Sequence, residues 1–189
     1  KVQTPSVSKW AQLAHPMEVA SALYLKLMPG ALPSNLAVSD ADLRFCDEKL
    51  GQVSRSFAAV IRQLPREMAV DILVFYLILR GLDTIEDDMS AFAGKEAEKC
   101  AHLRNFGPKY LGDVSWRLTG VGEGEEAELL AGFGAVSKVF NALPAASQEV
   151  IRDITTRMGA GMADYVGVDM GQGTVDLPAY CLYCHSVAG

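Results

Sequence analysis

The sequence has little of what marks a membrane-spanning, secreted or nucleic-acid-binding protein. Its longest uninterrupted apolar run, Ile72–Leu79, is far too short to cross a bilayer, and no signal peptide is visible. No Lys/Arg-rich run occurs and the formal net charge is -6, which excludes nucleic acid as a partner. The four cysteines lack the spacing of a disulfide framework and fit a reducing compartment. Gly167–Gly173 reads GVDMGQG, which is not GxGxxG and follows no strand, so it is not a nucleotide fingerprint. There is no alternating strand pattern of useful length and no internal repeat. The fold class that remains is all-α.

What is present is apolar. Of the 189 residues, 50% are hydrophobic, and the mean hydropathy is +0.15. That is high for a soluble domain and consistent with a large core or an apolar ligand cavity. The length suits one sizeable domain or part of a larger one. The chain opens at Lys1 without a Met and closes on Ser186-Val187-Ala188-Gly189 without a helix stop, and reads as a piece of a longer protein.

Residues 1–37 are punctuated by Pro5, Pro16, Pro29 and Pro33 around one short amphipathic helix, about Met17 to Met28. They form an N-terminal segment ahead of the main domain, 38–189. Ser39-Asp40-Ala41-Asp42 opens the next helix with a cap and first-turn acids; it meets Gly51 and continues or restarts through Ser54 to Leu64. Pro65 opens a long helix to about Met89, and a loop follows at Ser90–Gly94. Further helices are read over Lys95–Phe106, from Gly124 to about Leu143, and from Pro144 to about Val166. A last helix starts at Asp176 and Pro178 and carries Tyr180, Cys181, Tyr183, Cys184 and His185. Glu125, Glu126 and Glu128 read as helix-dipole partners on a solvated surface, and His15 and His102 as surface residues. Gly159 and Gly161 sit inside a helix at about 1 kcal/mol each, so close helix packing or a ligand-pocket wall should want their missing side chains.

The long helix is the informative one. At about 100° per residue, Tyr76, Arg80, Asp83 and Asp87 fall in one stripe, while Ile72–Phe75, Leu77–Leu79 and Leu82 cover most of the remaining circumference. A helix this apolar is buried, and buried unpaired charge is too costly. The stripe therefore faces an internal, wettable cavity. Asp83, Glu86 and Asp87 lie three and four residues apart, about 5–6 Å along one face, where their like charges call for a cation. Hard oxygen ligands point to Mg²⁺, which keeps water and bridges carboxylates to phosphate. Asp88 is off the stripe by about 100° and reads as solvated. Arg80 could pair with Asp83 or reach a phosphate. Ser54-Arg55-Ser56 is either a plain helix cap or a diphosphate-binding cluster. Cys181-Leu182-Tyr183-Cys184-His185 matches CxxCH but has no oxidising-compartment signal for haem and no second ligand pair for zinc.

Four strings carry a resemblance: SRSFAAVI at Ser54–Ile61, FYLILRGLDTIEDDM at Phe75–Met89, RMGAGMA at Arg157–Ala163 and YCHSVAG at Tyr183–Gly189. In that order, over about 40–189, the chain resembles the squalene synthases, a head-to-head prenyl synthase family with the all-α isoprenoid (terpenoid) synthase fold around a central cavity. The resemblance implies condensation of two farnesyl diphosphates to presqualene diphosphate, then NADPH-dependent rearrangement and reduction to squalene in sterol biosynthesis. It implies Mg²⁺ (with Mn²⁺ as a substitute) on Asp83, Glu86 and Asp87. Arg55 and Arg80 would contact substrate diphosphate and the NADPH phosphate. Ser54, Ser56, Phe57, Tyr76, Asp83, Asp87, Met158, Gly161 and Met162 would line the substrate site. Tyr183 falls on the family's catalytic tyrosine, with Tyr76 and Arg80 in the same catalytic set and Tyr180 the competing choice. The second aspartate-rich motif, further NADPH contacts and membrane anchor of that family lie beyond these residues. The expectation is the N-terminal half of an enzyme, inactive alone, monomeric, whose whole form sits on the cytosolic face of the endoplasmic reticulum membrane through a segment outside this chain. The alternatives are a phytoene- or dehydrosqualene-synthase-type enzyme without the reductive step, and a non-catalytic helical interaction module.

Overall fold

A computed structural model describes residues 40–167, Arg55 by its backbone alone. The helix read at Met17–Met28, most of the loop after Gly167, and the last helix with Tyr180, Cys181, Tyr183, Cys184 and His185 lie outside the described residues. Within them the chain is helical with no strand: α1 (Ala41–Val53), α2 (Arg55–Ile61), α3 (Arg66–Asp87), α4 (Glu96–Asn105), a π-helical turn (Phe106–Tyr110), α5 (Gly124–Ala131), α6 (Phe133–Asn141) and α7 (Ala145–Tyr165). No helix among them is long and apolar enough to cross a membrane.

Local chemistry sets most boundaries. The Asp40 carboxylate accepts from Leu43 N at 2.8 Å and caps α1. The chain then breaks at Ser54, whose extended backbone ends α1 and whose hydroxyl caps α2. Pro65 precedes α3 and Pro144 precedes α7, each supplying the fixed φ of a helix entry without a donor to strand. The helix read from Gly124 to Leu143 is in fact two. Gly132 breaks it, because a Cβ there would lie 2.4 Å from the Phe45 ring of α1. The helix read over Lys95–Phe106 does not stop at Phe106 but widens into the π turn, where Pro108 can donate no bond. Arg152 of α7 donates to the Gly107 and Leu111 carbonyls at 3.0 and 2.9 Å, satisfying acceptors that the irregular turn leaves open.

The central element is α3. It packs against all six other α-helices of the described residues. Ala69, Leu73, Val74, Leu77, Ile78, Gly81, Leu82, Thr84 and Ile85 are buried along it. Fully enclosed leucines such as Leu73, Leu77 and Leu82 each contribute about 1.5–3 kcal/mol. Gly81 is there for the aromatic cluster behind it. A Cβ would stand 3.1 Å from Phe133 and 3.4 Å from Phe106, whose rings meet edge to face at 5.2 Å and both pack on Trp116.

Gly159 answers the question its position raised in the sequence. A Cβ there would stand 2.2 Å from the Leu103 carbonyl oxygen, so α4 and α7 meet backbone against backbone. Gly159→Ala should therefore lower the thermal unfolding midpoint of the protein, by the equivalent of about 1–3 kcal/mol, despite alanine's better helix propensity. An unchanged or raised midpoint would mean that the two helices separate at little cost.

Candidate active site

One face of α3 remains uncovered. Ile72, Phe75, Tyr76, Leu79, Arg80, Asp83 and Glu86 are partly exposed along it, and Asp87 is exposed at its end. The face changes character along its length. At the N-terminal end Ile72 and Phe75 join Val150, Ile151 and Ile154 of α7 in an apolar groove of about 390 Å³. In mid-helix the Phe57 ring of α2 rests on Tyr76, centroids 5.4 Å apart, which brings the Ser54–Phe57 segment onto the stripe. At the C-terminal end the surface is carboxylate.

Arg80 separates the two ends. Its guanidinium is paired with Glu126, on the first turn of α5, rather than with Asp83. Its Nε is buried with no hydrogen-bond partner. Burial pulls the Arg80 pKa down, but the bond and charge of Glu126 outweigh it, so the group stays a cation. Glu126 is held there by the loop before it. Gly122, at φ +78°, donates to the second oxygen of Asp88 at 2.7 Å, while the first accepts from Ser90 N, Ser90 Oγ and Ala91 N at 2.8–2.9 Å. A Cβ on Gly122 would lie 2.5 Å from the Thr84 methyl. The Asp88 carboxylate thus ties the end of α3 to the entry of α5, and those bonds lower its pKa to about 2.

The neighbouring carboxylates behave oppositely. Burial, then the charges of Asp87 and Glu126, push Asp83 up from 3.8 to about 6, against the pull of Arg80. Glu86 is raised by burial and by a side-chain bond to Asp87, with Lys99 opposing. These groups repel one another, and the charges of Arg80 and Lys99 offset that only in part. The donor set is all carboxylate oxygen and opens to solvent at Asp87, which fits a hard cation that retains water. Among the described residues no three His, Cys, Asp or Glu side chains already converge as a cage, so such an ion would take its remaining ligands from substrate oxygen and water.

Several expectations change. Asp88 is off the stripe but not simply solvated; its partly exposed carboxylate accepts four hydrogen bonds. Glu125 and Glu128 are not merely solvated, since both pair with the buried Lys49 of α1, and Glu126 pairs with Arg80. His102 is not a surface residue: it sits half-buried between Phe92 and Tyr110, both centroids 5.9 Å away, and burial lowers its pKa. Ser54 spends its hydroxyl on Phe57 N at 3.4 Å, and Ser56 is exposed. Met158 is buried, while Gly161 and Met162 are partly exposed on α7. Tyr183 and Tyr180 lie outside the described residues. Glu126 is the residue sequence reasoning missed. Its one signal is an acid on a first helical turn behind a glycine-rich loop.

The comparisons agree with this architecture. Residues 50–189 match the squalene/phytoene synthase family. The chain belongs to that family. It is 45% identical over 181 residues to a squalene synthase of Yarrowia lipolytica and 42% identical over 177 to a lycopaoctaene synthase of Botryococcus braunii. Each alignment covers 94% of this chain, which spans 40% and 38% of those relatives. The solved complex of TcSQS with a ligand superposes at a TM-score of 0.70 and 43% identity, covering 79% of this chain and 41% of that one. The all-α isoprenoid synthase fold expected from the strings is the fold of the described residues.

The two kinds of carboxylate predict opposite pH responses. The raised pKa of Asp83 means the metal-free native state binds more protons than the unfolded chain between about pH 4 and 6, so this group lowers stability as pH rises through that window. Asp88, with its lowered pKa, stabilises above pH 4 and loses that contribution as pH falls toward 2. In metal-free melts, the midpoint of Asp83→Asn relative to the unsubstituted protein should climb from pH 4 to 7. The deficit of Asp88→Asn should be full at pH 7 and shrink toward pH 2. Parallel profiles for both variants would contradict the assignment.

Proposed function

We propose that the whole protein carrying this chain is a squalene synthase, joining two farnesyl diphosphates head to head and reducing the product with NADPH. The observation that supports it best is the gradient along the uncovered face of α3, apolar groove at one end and carboxylates at the other. That face matches a substrate with a hydrocarbon tail and a polyanionic head.

In this reading Asp83, Glu86 and Asp87 hold Mg²⁺, which when bound neutralises the departing diphosphate as a Lewis acid. Arg80 presents N–H groups to diphosphate oxygen, and Arg55 binds substrate or NADPH phosphate. Ile72, Phe75, Phe57 and Tyr76 line the prenyl path, with Met158, Gly161 and Met162 on α7, and exclude water from carbocationic carbon. The first step forms two carbon–carbon single bonds that close a cyclopropane, and it consumes one carbon–carbon double bond, one C–O bond to diphosphate and one C–H bond, whose proton Tyr183 accepts. A phenol near pKa ~10 needs adjacent cations to do so. In the second step the other diphosphate leaves and hydride comes from NADPH, the reducing substrate. The second metal-binding half of the site lies on residues beyond this chain, so the fragment alone is inactive. The whole enzyme sits as a monomer on the cytosolic face of the endoplasmic reticulum membrane.

A second reading is a head-to-head synthase with a different product, favoured by the similarity to a protein named lycopaoctaene synthase. Product analysis separates the two. Squalene formed from farnesyl diphosphate only when NADPH is present supports the first; dehydrosqualene formed from it without NADPH, or a C40 product from a C20 prenyl diphosphate in preference to squalene, overturns it.

Two substitutions test the residue roles. Asp83→Asn or Asp87→Asn should lower turnover by about 100-fold or more, and EDTA should abolish binding of farnesyl thiodiphosphate. Tyr183→Phe should leave that binding intact while lowering turnover about 10²–10⁴-fold. Survival of turnover would move the proton-accepting role to Tyr180 or another base.

A further inference from the structure

The pairing of Arg80 with Glu126 has a chemical oddity. A guanidinium has five N–H donors, and one of those on Arg80, Nε, is buried with no partner while a terminal nitrogen is committed to Glu126. A buried donor left unsatisfied on a cation destabilises the protein. It is tolerable where a ligand completes the bond. The guanidinium is only about a third exposed, as is Glu126, so the pair is shielded enough to hold one orientation. Asp83, one turn along, feels both charges but is not the bonded partner.

We propose that Glu126 is a positioning residue: it anchors the Arg80 guanidinium by one corner, so that its remaining N–H groups meet the diphosphate of the substrate and Asp83 stays free for the cation. This rests on the function proposed above. Besides Glu126, Asp83 is the carboxylate whose charge acts on Arg80, and an Arg80–Asp83 pair would silence a metal ligand and a diphosphate donor together. The geometry behind Glu126 is built for fixity. Gly122 and Asp88 clamp the loop that delivers it, and Lys49 holds α5 on either side of it through Glu125 and Glu128. Glu126 is also the acid on α5 closest to the N-terminal dipole that still reaches α3, so its charge is favoured where it stands.

The test uses the full-length protein carrying this chain, with Glu126→Ala, Glu126→Gln and Arg80→Ala. Binding of inorganic pyrophosphate with Mg²⁺ is measured by calorimetry, and KM and kcat with farnesyl diphosphate. Glu126→Ala should weaken pyrophosphate binding and raise KM about 10-fold at an unchanged unfolding midpoint, with a smaller effect on kcat. Glu126→Gln, which keeps an oxygen acceptor for the guanidinium, should recover most of the loss. In the Arg80→Ala background, Glu126→Ala should add little. Wild-type pyrophosphate affinity in Glu126→Ala, or equal effects in the two Arg80 backgrounds, overturns the proposal. Wild-type protein that binds pyrophosphate but makes no prenyl product would defeat the function reading and leave the Glu126 effect on binding to be judged by the calorimetry alone.

Discussion

A helix enclosed by six others has no room for ionised side chains except on a face that something else must cover or fill. On α3 that constraint sorts the residues. Leucine and isoleucine take the enclosed sides, and Tyr76, Arg80, Asp83, Glu86 and Asp87 take the open one. The surrounding helices are then arranged to keep the opening in shape. α2 lays Phe57 on Tyr76, α5 supplies a counter-charge to Arg80, and α7 forms the opposite lip of the apolar groove.

The electrostatics of the open face are deliberately unequal. Arg80 has one carboxylate partner and Lys49 has two, all on α5, while the Arg80 Nε stays unpaired. Asp83 and Glu86 are held above their ordinary pKa values by burial and by one another. Clustered carboxylates short of positive charge are what the proposed external cation would relieve. The same arrangement separates this face from an ordinary structural ion-pair network, where acids and bases would balance.

Much of the fold was legible because its signals are local. Asp40, Ser54, Pro65 and Pro144 mark helix starts through interactions within three or four residues, and the buried and open sides of α3 follow from periodicity. What was not legible depends on contacts between distant segments. Glu126 meets Arg80 across 46 residues and Gly122 meets Asp88 across 34, and neither leaves a trace in local pattern. Asp88 looked solvated because a helical wheel continues past Asp87, whereas the helix ends there and the side chain turns back to its own loop. Gly132 broke a helix that its neighbours would have continued, since the reason lies in the Phe45 ring of α1. The family strings supplied the roles of Tyr183 and Arg55, which lie where side-chain geometry is not described.

The clamp formed by Asp88 has a bearing on how the site would fail. Its carboxylate keeps its charge down to about pH 2, whereas Asp83 takes up a proton near pH 6. In the metal-free protein mild acid therefore reduces the negative charge of the open face while the Asp88 clamp beside it is still ionised. The fastening between α3 and the loop before α5 thus keeps its charge in acid that already neutralises its neighbour, so the charge of the open face and the shape of its rim answer to different ranges of pH.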